Sequence, residues 1–116
     1  MKRHSEGALL RIFVGESDKR NGVPLYEWIV LKARELNIAG ATVLRGVMGY
    51  GAHSRLHSAK TVRLSEDLPL VIEIVDSDEN LDRLLPLLDE VVPEGLITIE
   101  KVRMIKYRSD EDEERE

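Results

Sequence analysis

Six apolar segments along this chain switch between the strand period and the helix period, and their order leaves few folds open. Residues 8–16 alternate and are rich in Leu, Ile, Phe and Val, as a half-buried strand requires. Leu25, Ile29, Ala33 and Leu36 then recur at helical spacing behind Pro24, whose missing N–H costs nothing in a first helical turn. Asn37 and Gly40 supply stop signals. Residues 41–48 read as a second strand. Residues 59–64 resume strand character, the turn Ser65-Glu-Asp-Leu-Pro69 interrupts it because proline cannot donate to a ladder, and residues 70–75 are the clearest strand in the chain. Asp78 suits the N-cap of a second helix with Leu81, Leu84, Leu85, Leu88 and Val92 on its apolar face, and Pro86 inside that pattern predicts a kink. Residues 96–106 alternate as a last strand. The order strand, helix, strand, strand, helix, strand predicts an α+β ferredoxin-like sandwich, one antiparallel sheet with both helices on one face.

With 116 residues the chain holds one core, which we place in residues 8–108. Residues 1–7 are charged, have no signal-peptide apolar stretch behind them, and are expected to be flexible. Residues 109–116 carry six acids and no apolar side chain, so they are expected to be a disordered tail. The net charge of −5 argues against nucleic acid as a partner, and no apolar run is long enough for membrane insertion. Cysteine is absent, which excludes disulfides, thiolate metal sites and cysteine nucleophiles. A cytoplasmic protein is expected.

Alternation assigns the two faces of the sheet. Leu10, Ile12, Val14, Leu44, Met48, Leu70, Ile72, Ile74, Ile97 and Ile99 are expected under the helices. The other face is then lined by Phe13, Val43, Val47, Val71, Val75, Val102 and Met104, with one charge near the middle of each strand. In the usual strand order of this fold, last-first-third-second, those charges form the row Glu100, Arg11, Glu73, Arg45. An apolar face bearing an alternating charge row implies a partner, and another copy of the chain is the simplest one.

Residues 36–65 contain no Asp or Glu, although the chain has 22 acids, and they hold Arg45, His53, Arg55, His57, Lys60 and Arg63. At the centre stand Gly46, Gly49 and Gly51. Glycines free the backbone N–H groups and the cations supply charge, a combination suited to a loop that receives a phosphorylated or other small anion. The alternative is a hairpin loop with solvated charges. Arg55 suits bidentate phosphate capture. Tyr50 either stacks on a base or packs over its neighbouring glycines. His53 and His57 lie four apart, but with no cysteine or acid nearby they are not expected to bind metal; ligand hydrogen bonding or plain exposure accounts for them. Ser54 and Ser58 have no local base.

The stretches Leu10-Arg-Ile-Phe-Val-Gly-Glu-Ser-Asp18, Gly40-Ala-Thr-Val-Leu-Arg-Gly46, Gly49-Tyr-Gly-Ala-His-Ser-Arg-Leu-His57 and Leu68-Pro-Leu-Val-Ile-Glu-Ile-Val-Asp76 resemble one group, domain of unknown function 190, counted among the PII-like signalling proteins. The resemblance implies a homotrimer whose open sheet faces meet around a threefold axis, with the row Arg11, Arg45, Glu73 and Glu100 at that interface. It also implies an adenine nucleotide bound in clefts between subunits and a signal carried by the loop between the second and third strands of the sheet. Its glycine-tyrosine-glycine step, taken with the composition of the loop, marks Gly49, Tyr50, Gly51, His53, Ser54 and Arg55 as ligand-binding residues, together with Arg103 from the basic C-terminal segment. Two departures bear on the ligand. Ala52 and His53 follow the glycine-tyrosine-glycine step where PII proteins carry Arg and Gln, and Val92-Pro-Glu-Gly-Leu96 lacks the lysine of their second, glycine-rich phosphate-binding element. Both point to a ligand smaller than or different from ATP, or to none. Members of this group often lie beside fluoride-channel genes, so a membrane transporter or channel is the implied partner. No catalytic constellation is present, and an enzyme is not expected. The alternative is a trimer similar to the CutA group, binding metal or serving as a scaffold without nucleotide.

Overall fold

The computed structural model describes residues 2–50, 57–58, 68–92 and 94–107. In chain order the elements are β1 (Lys2–Gly15), β2 (Lys19–Arg20), β3 (Val23–Pro24), α1 (Leu25–Glu35), β4 (Ala41–Arg45), β5 (Met48–Gly49), β6 (His57–Ser58), β7 (Pro69–Asp76), α2 (Asp78–Val91) and β8 (Leu96–Tyr107). Four strands form the main sheet in the order β4-β7-β1-β8, all antiparallel. This is the α+β ferredoxin-like sandwich expected from the sequence, with the last-first-third-second order intact. Short strands β2 and β3 close a hairpin at Asn21 and Gly22, both at positive φ, as a tight turn matched to the twist of its strands demands.

The core lies between the helices and one sheet face. Leu10, Ile12 and Val14 of β1 and Leu70, Ile72 and Ile74 of β7 are buried against Leu25, Ile29 and Ala33 of α1 and Leu81, Leu84, Leu88 and Val91 of α2. Strand β4 departs from the sequence expectation. Its register sets Val43 opposite Ile72 and Leu44 opposite Val71, so Val43 faces the core and Leu44 the open side. A one-residue shift in phase moves every side chain of a strand to the other face. Met48 lies outside β4, beyond a break at Gly46 and Val47, and is exposed together with Val47. Ile99 has the expected phase, opposite Leu10, but sits on an edge strand that the helices leave uncovered and is 59% exposed.

Strand β1 begins at Lys2. The segment through residue 7, expected to be flexible, pairs with the end of β8 from Lys2↔Tyr107 to Gly7↔Val102. Its polar composition concealed a strand whose ladder comes from a partner almost a hundred residues away. Helix α1 ends in a Schellman motif: Asn37 at φ 61°, with Ile38 N donating to Ala33 O and Asn37 N to Arg34 O, both at 3.0 Å. Helix α2 starts one residue earlier than expected. Ser77 is its cap, its hydroxyl accepting from Asn80 N at 3.2 Å, while Asp78 lies in the first turn, where a negative charge complements the helix dipole. The helix continues past Pro86 for five more residues.

Candidate functional site

Pairing across β7, β1 and β8 builds an ionic row on the open face. Arg11 stands opposite Glu73 and next to the Leu9↔Glu100 pair. Arg11 Nε donates to Glu73 Oε2 at 2.9 Å and Arg11 Nη1 to Glu100 Oε2 at 3.4 Å. The hydrogen bond to Glu73 raises the Arg11 pKa above its ordinary value; desolvation opposes this, and the charges of both glutamates add to it. Three of the four expected members are therefore together. Arg45 is not among them, because the shifted phase of β4 places it opposite Leu70, and it pairs with Glu16 instead. Thr42 occupies the position facing Glu73. The row is Glu100–Arg11–Glu73, one cation between two acids, rather than a neutral row of four.

Around it the open face is apolar: Phe13, Leu44 and Val75 are each more than a third exposed. A shallow groove of about 460 Å³ runs beside the row, lined by Leu9, Ala39, Gly40, Ala41, Thr42, Glu73 and Val75. Among the described residues, no three His, Cys, Asp or Glu side chains are grouped to hold a metal ion.

At the far end of β4 the chain turns into the glycine-rich segment. Gly46 N donates to Pro69 O at 2.7 Å, and a Cβ at residue 46 would lie 2.8 Å from Pro69 Cγ, so the close approach of β4 and β7 there requires glycine. Strands β5 and β6 then pair Met48 with Ser58 and Gly49 with His57, forming the base of the loop. Tyr50 is 70% exposed. Gly51, His53, Ser54 and Arg55 lie outside the described residues. Arg103 is exposed on β8, opposite Glu6.

The structure does not bring Arg103 and Gly49–Tyr50 together. β4 and β8 are opposite edges of the sheet, three strand spacings or about 14 Å apart. Gly46 adjoins the Val14–Leu70 end of the sheet, and Arg103 lies beyond the Ala8–Asp76 end. That is eight strand residues, roughly 26 Å, along the strand axis. The two candidate ligand elements stand at diagonal corners of the chain's sheet.

Asp76 went unassigned in the sequence reading. It is the buried charged side chain among the described residues, 2% exposed at the end of β7. Ala39 N donates to Oδ2 at 2.9 Å, and Ser77 N and Asn80 Nδ2 to Oδ1 at 2.7 and 3.1 Å. Desolvation pushes its pKa up, but the N–H groups of Ala39 and Ser77, the Asn80 amide and the Lys106 charge together outweigh this and hold it below 3.8. The side chain ties the α1–β4 connection to the start of α2 and so fixes one wall of the groove. The signal in the sequence was an acid closing an apolar strand directly before a helix cap.

Fold and geometry define an antiparallel α+β domain with a paired charge row on an uncovered sheet face and a glycine-based segment at one corner. The family DUF190, described as "Uncharacterized ACR, COG1993", matches residues 7–104, and the chain belongs to it. Two relatives called UPF0166 protein are similar: one from Aquifex aeolicus strain VF5 is 38% identical and one from Methanocaldococcus jannaschii 39%, each over 99 residues covering 84% of this chain and 91% of the relative. Among solved structures the chain resembles CPII, a nitrogen regulatory PII-like protein from Thiomonas intermedia K12 bound to ADP, AMP and bicarbonate, with a TM-score of 0.64 and 15% identity over 88% of this chain and 91% of that one. A PII-like signalling protein from Thermus thermophilus aligns with a TM-score of 0.60 and 17% identity over 93% of this chain and 96% of that one. The fold is thus PII-like as well as ferredoxin-like. No helix among the described residues is long and apolar enough to cross a membrane.

Proposed function

We propose that the protein is a PII-like regulatory protein, not an enzyme, acting as a cytoplasmic homotrimer. It binds a small anionic effector in clefts between subunits, with an adenine nucleotide first among the candidates, and signals through the segment joining β4 to β7. The observation that carries this reading is the likeness of fold, over most of the chain, to a protein whose structure holds ADP, AMP and bicarbonate. Two features of this chain support it. Arg103 and Gly49–Tyr50 sit at opposite corners of one protomer, so a site that uses both has to draw them from different protomers. The apolar open face, with its row of Glu100, Arg11 and Glu73, suits burial against other copies. A ligand that contacts the β4–β7 segment in one arrangement shifts it toward that arrangement and so changes what a transporter or channel partner can dock against.

Thermal unfolding in the presence of ADP, AMP, ATP, bicarbonate and divalent metals tests the reading. A ligand at 100 times its dissociation constant adds about 2.7 kcal/mol of stability. Stabilisation by an adenine nucleotide that Arg103→Ala weakens at least tenfold is the expected result. Stabilisation by metals alone would replace this reading with the CutA-like one.

A further inference from the structure

Glu16 and Arg45 form an ion pair that sheet pairing does not impose. Their strands are not neighbours: Glu16 follows the last residue of β1, Arg45 ends β4, and β7 lies between the two. The two side chains therefore reach toward each other past Pro69 and Leu70, the residues of β7 level with them. Their anchorage differs. Glu16 N donates to Leu68 O at 2.8 Å and its side chain is 22% exposed, whereas the Arg45 side chain is 63% exposed. One guanidinium nitrogen, Nη2, meets one carboxylate oxygen, Oε1, and Nε and Nη1 have no partner among the described residues. An exposed pair joined through one atom on each side adds little to stability. A guanidinium is shaped to grip an anion through two parallel N–H groups. Glu16 thus occupies Arg45 without filling it.

Arg45 also stands where an anion is best received. With the phase of β4 settled it lies outside the charge row and at the root of the glycine-rich segment, one residue before Gly46. It belongs to residues 36–65, which contain no acid, and Glu16 is a carboxylate that the fold brings to that stretch from outside. Val47, Met48 and Tyr50 follow it and are all largely exposed. A cation and a run of exposed apolar and aromatic side chains suit an anion that carries an apolar or aromatic body.

We propose that Arg45 is an anion-binding residue of the β4–β7 segment and that the Glu16 carboxylate is its internal stand-in, displaced when a ligand's anionic group arrives. The ligand class is an organic phosphate, its phosphate on Arg45 and its body along Val47, Met48 and Tyr50. In taking that ligand to be the effector, this rests on the reading given above. Glu16 then sets the affinity, because the ligand has to displace a carboxylate that the chain itself supplies.

ADP and inorganic pyrophosphate are the probes, titrated into the full chain at low salt, with affinity taken from calorimetry and the Arg45 Nε–H resonance followed by NMR. Both probes should shift that resonance. Arg45→Ala should weaken ADP binding at least tenfold, Arg45→Lys should weaken it less, and Glu16→Gln should tighten it several-fold. In the Arg45→Ala background Glu16→Gln should change nothing, an outcome that structural damage at Glu16 would not give. Equal ADP affinity in the parent and Arg45→Ala overturns the proposal and leaves the effector reading intact. Unchanged or weaker binding by Glu16→Gln also overturns it, since the carboxylate then does not compete for the guanidinium. If ADP binds to no form while pyrophosphate moves the Arg45 resonance, the adenine-nucleotide effector falls and the anion site stands. If neither probe moves it, the site falls.

Discussion

Asp76 is a buried carboxylate, kept charged by three donors. Its native pKa lies below the ordinary value, so between the two pH values the unfolded chain binds more protons than the folded one. Its contribution to stability is therefore complete above the ordinary aspartate range and is lost as pH falls through the lowered native value. Asp76→Asn must turn an amide NH₂ toward a backbone N–H and is expected to cost about 1–3 kcal/mol at neutral pH. Denaturant unfolding at pH 7 and pH 3.5 checks this: the gap between parent and variant should narrow at the lower pH. Gly95 offers a second test at this scale. It holds φ 150°, and a Cβ there would lie 2.5 Å from Phe13 O. Gly95→Ala is expected to destabilise by more than about 1 kcal/mol through displacement of the start of β8, which the urea midpoint reports. The sequence marks Asp76 only as an acid between an apolar strand and a helix cap; its bond to Ala39, like the approach of Gly95 to Phe13, depends on atoms brought from elsewhere in the chain.

At the scale of the elements the pattern was legible where one face was deeply buried. Strands β1 and β7 and helix α1 show their buried residues at the spacing read from the sequence, and α2 does so through Leu88, beyond which Val91 is buried and Val92 only partly so. Strand β4 was misread because Ala41-Thr-Val-Leu-Arg45 has apolar residues in both phases, and only pairing with β7 decides between them. The start of β1 was missed because residues 2–7 carry no apolar alternation; their ladder comes from β8. The start of α2 was off by one because Ser77 and Asp78 are both good caps and geometry chose Ser77. Ser77→Ala should therefore cost about 1 kcal/mol, and Asp78→Ala a few tenths, in equilibrium unfolding. Equal losses would return the cap to Asp78.

For the molecule as a whole, the open face links the fold to the proposed assembly. In a lone protomer Arg11 and Glu73 are partly solvated, with side chains 40% and 30% exposed, and such pairs are worth little. Covered by another copy, the same row becomes costly to break, because removing Arg11 leaves two carboxylates without a partner. Arg11→Ala should thus leave the urea midpoint of dilute, dissociated protomers nearly unchanged while weakening association at least tenfold by sedimentation velocity. The candidate site was only half legible in the sequence. Composition marked the loop at Gly49–Tyr50 and the basic strand at Arg103, but their separation within one chain is a property of strand order that no local motif encodes. The most direct measurement of the whole account is native mass spectrometry of the protein with and without ADP. A mass of three protomers that takes up as many as three ADP is the predicted result, and a monomer or dimer with no bound nucleotide would contradict it.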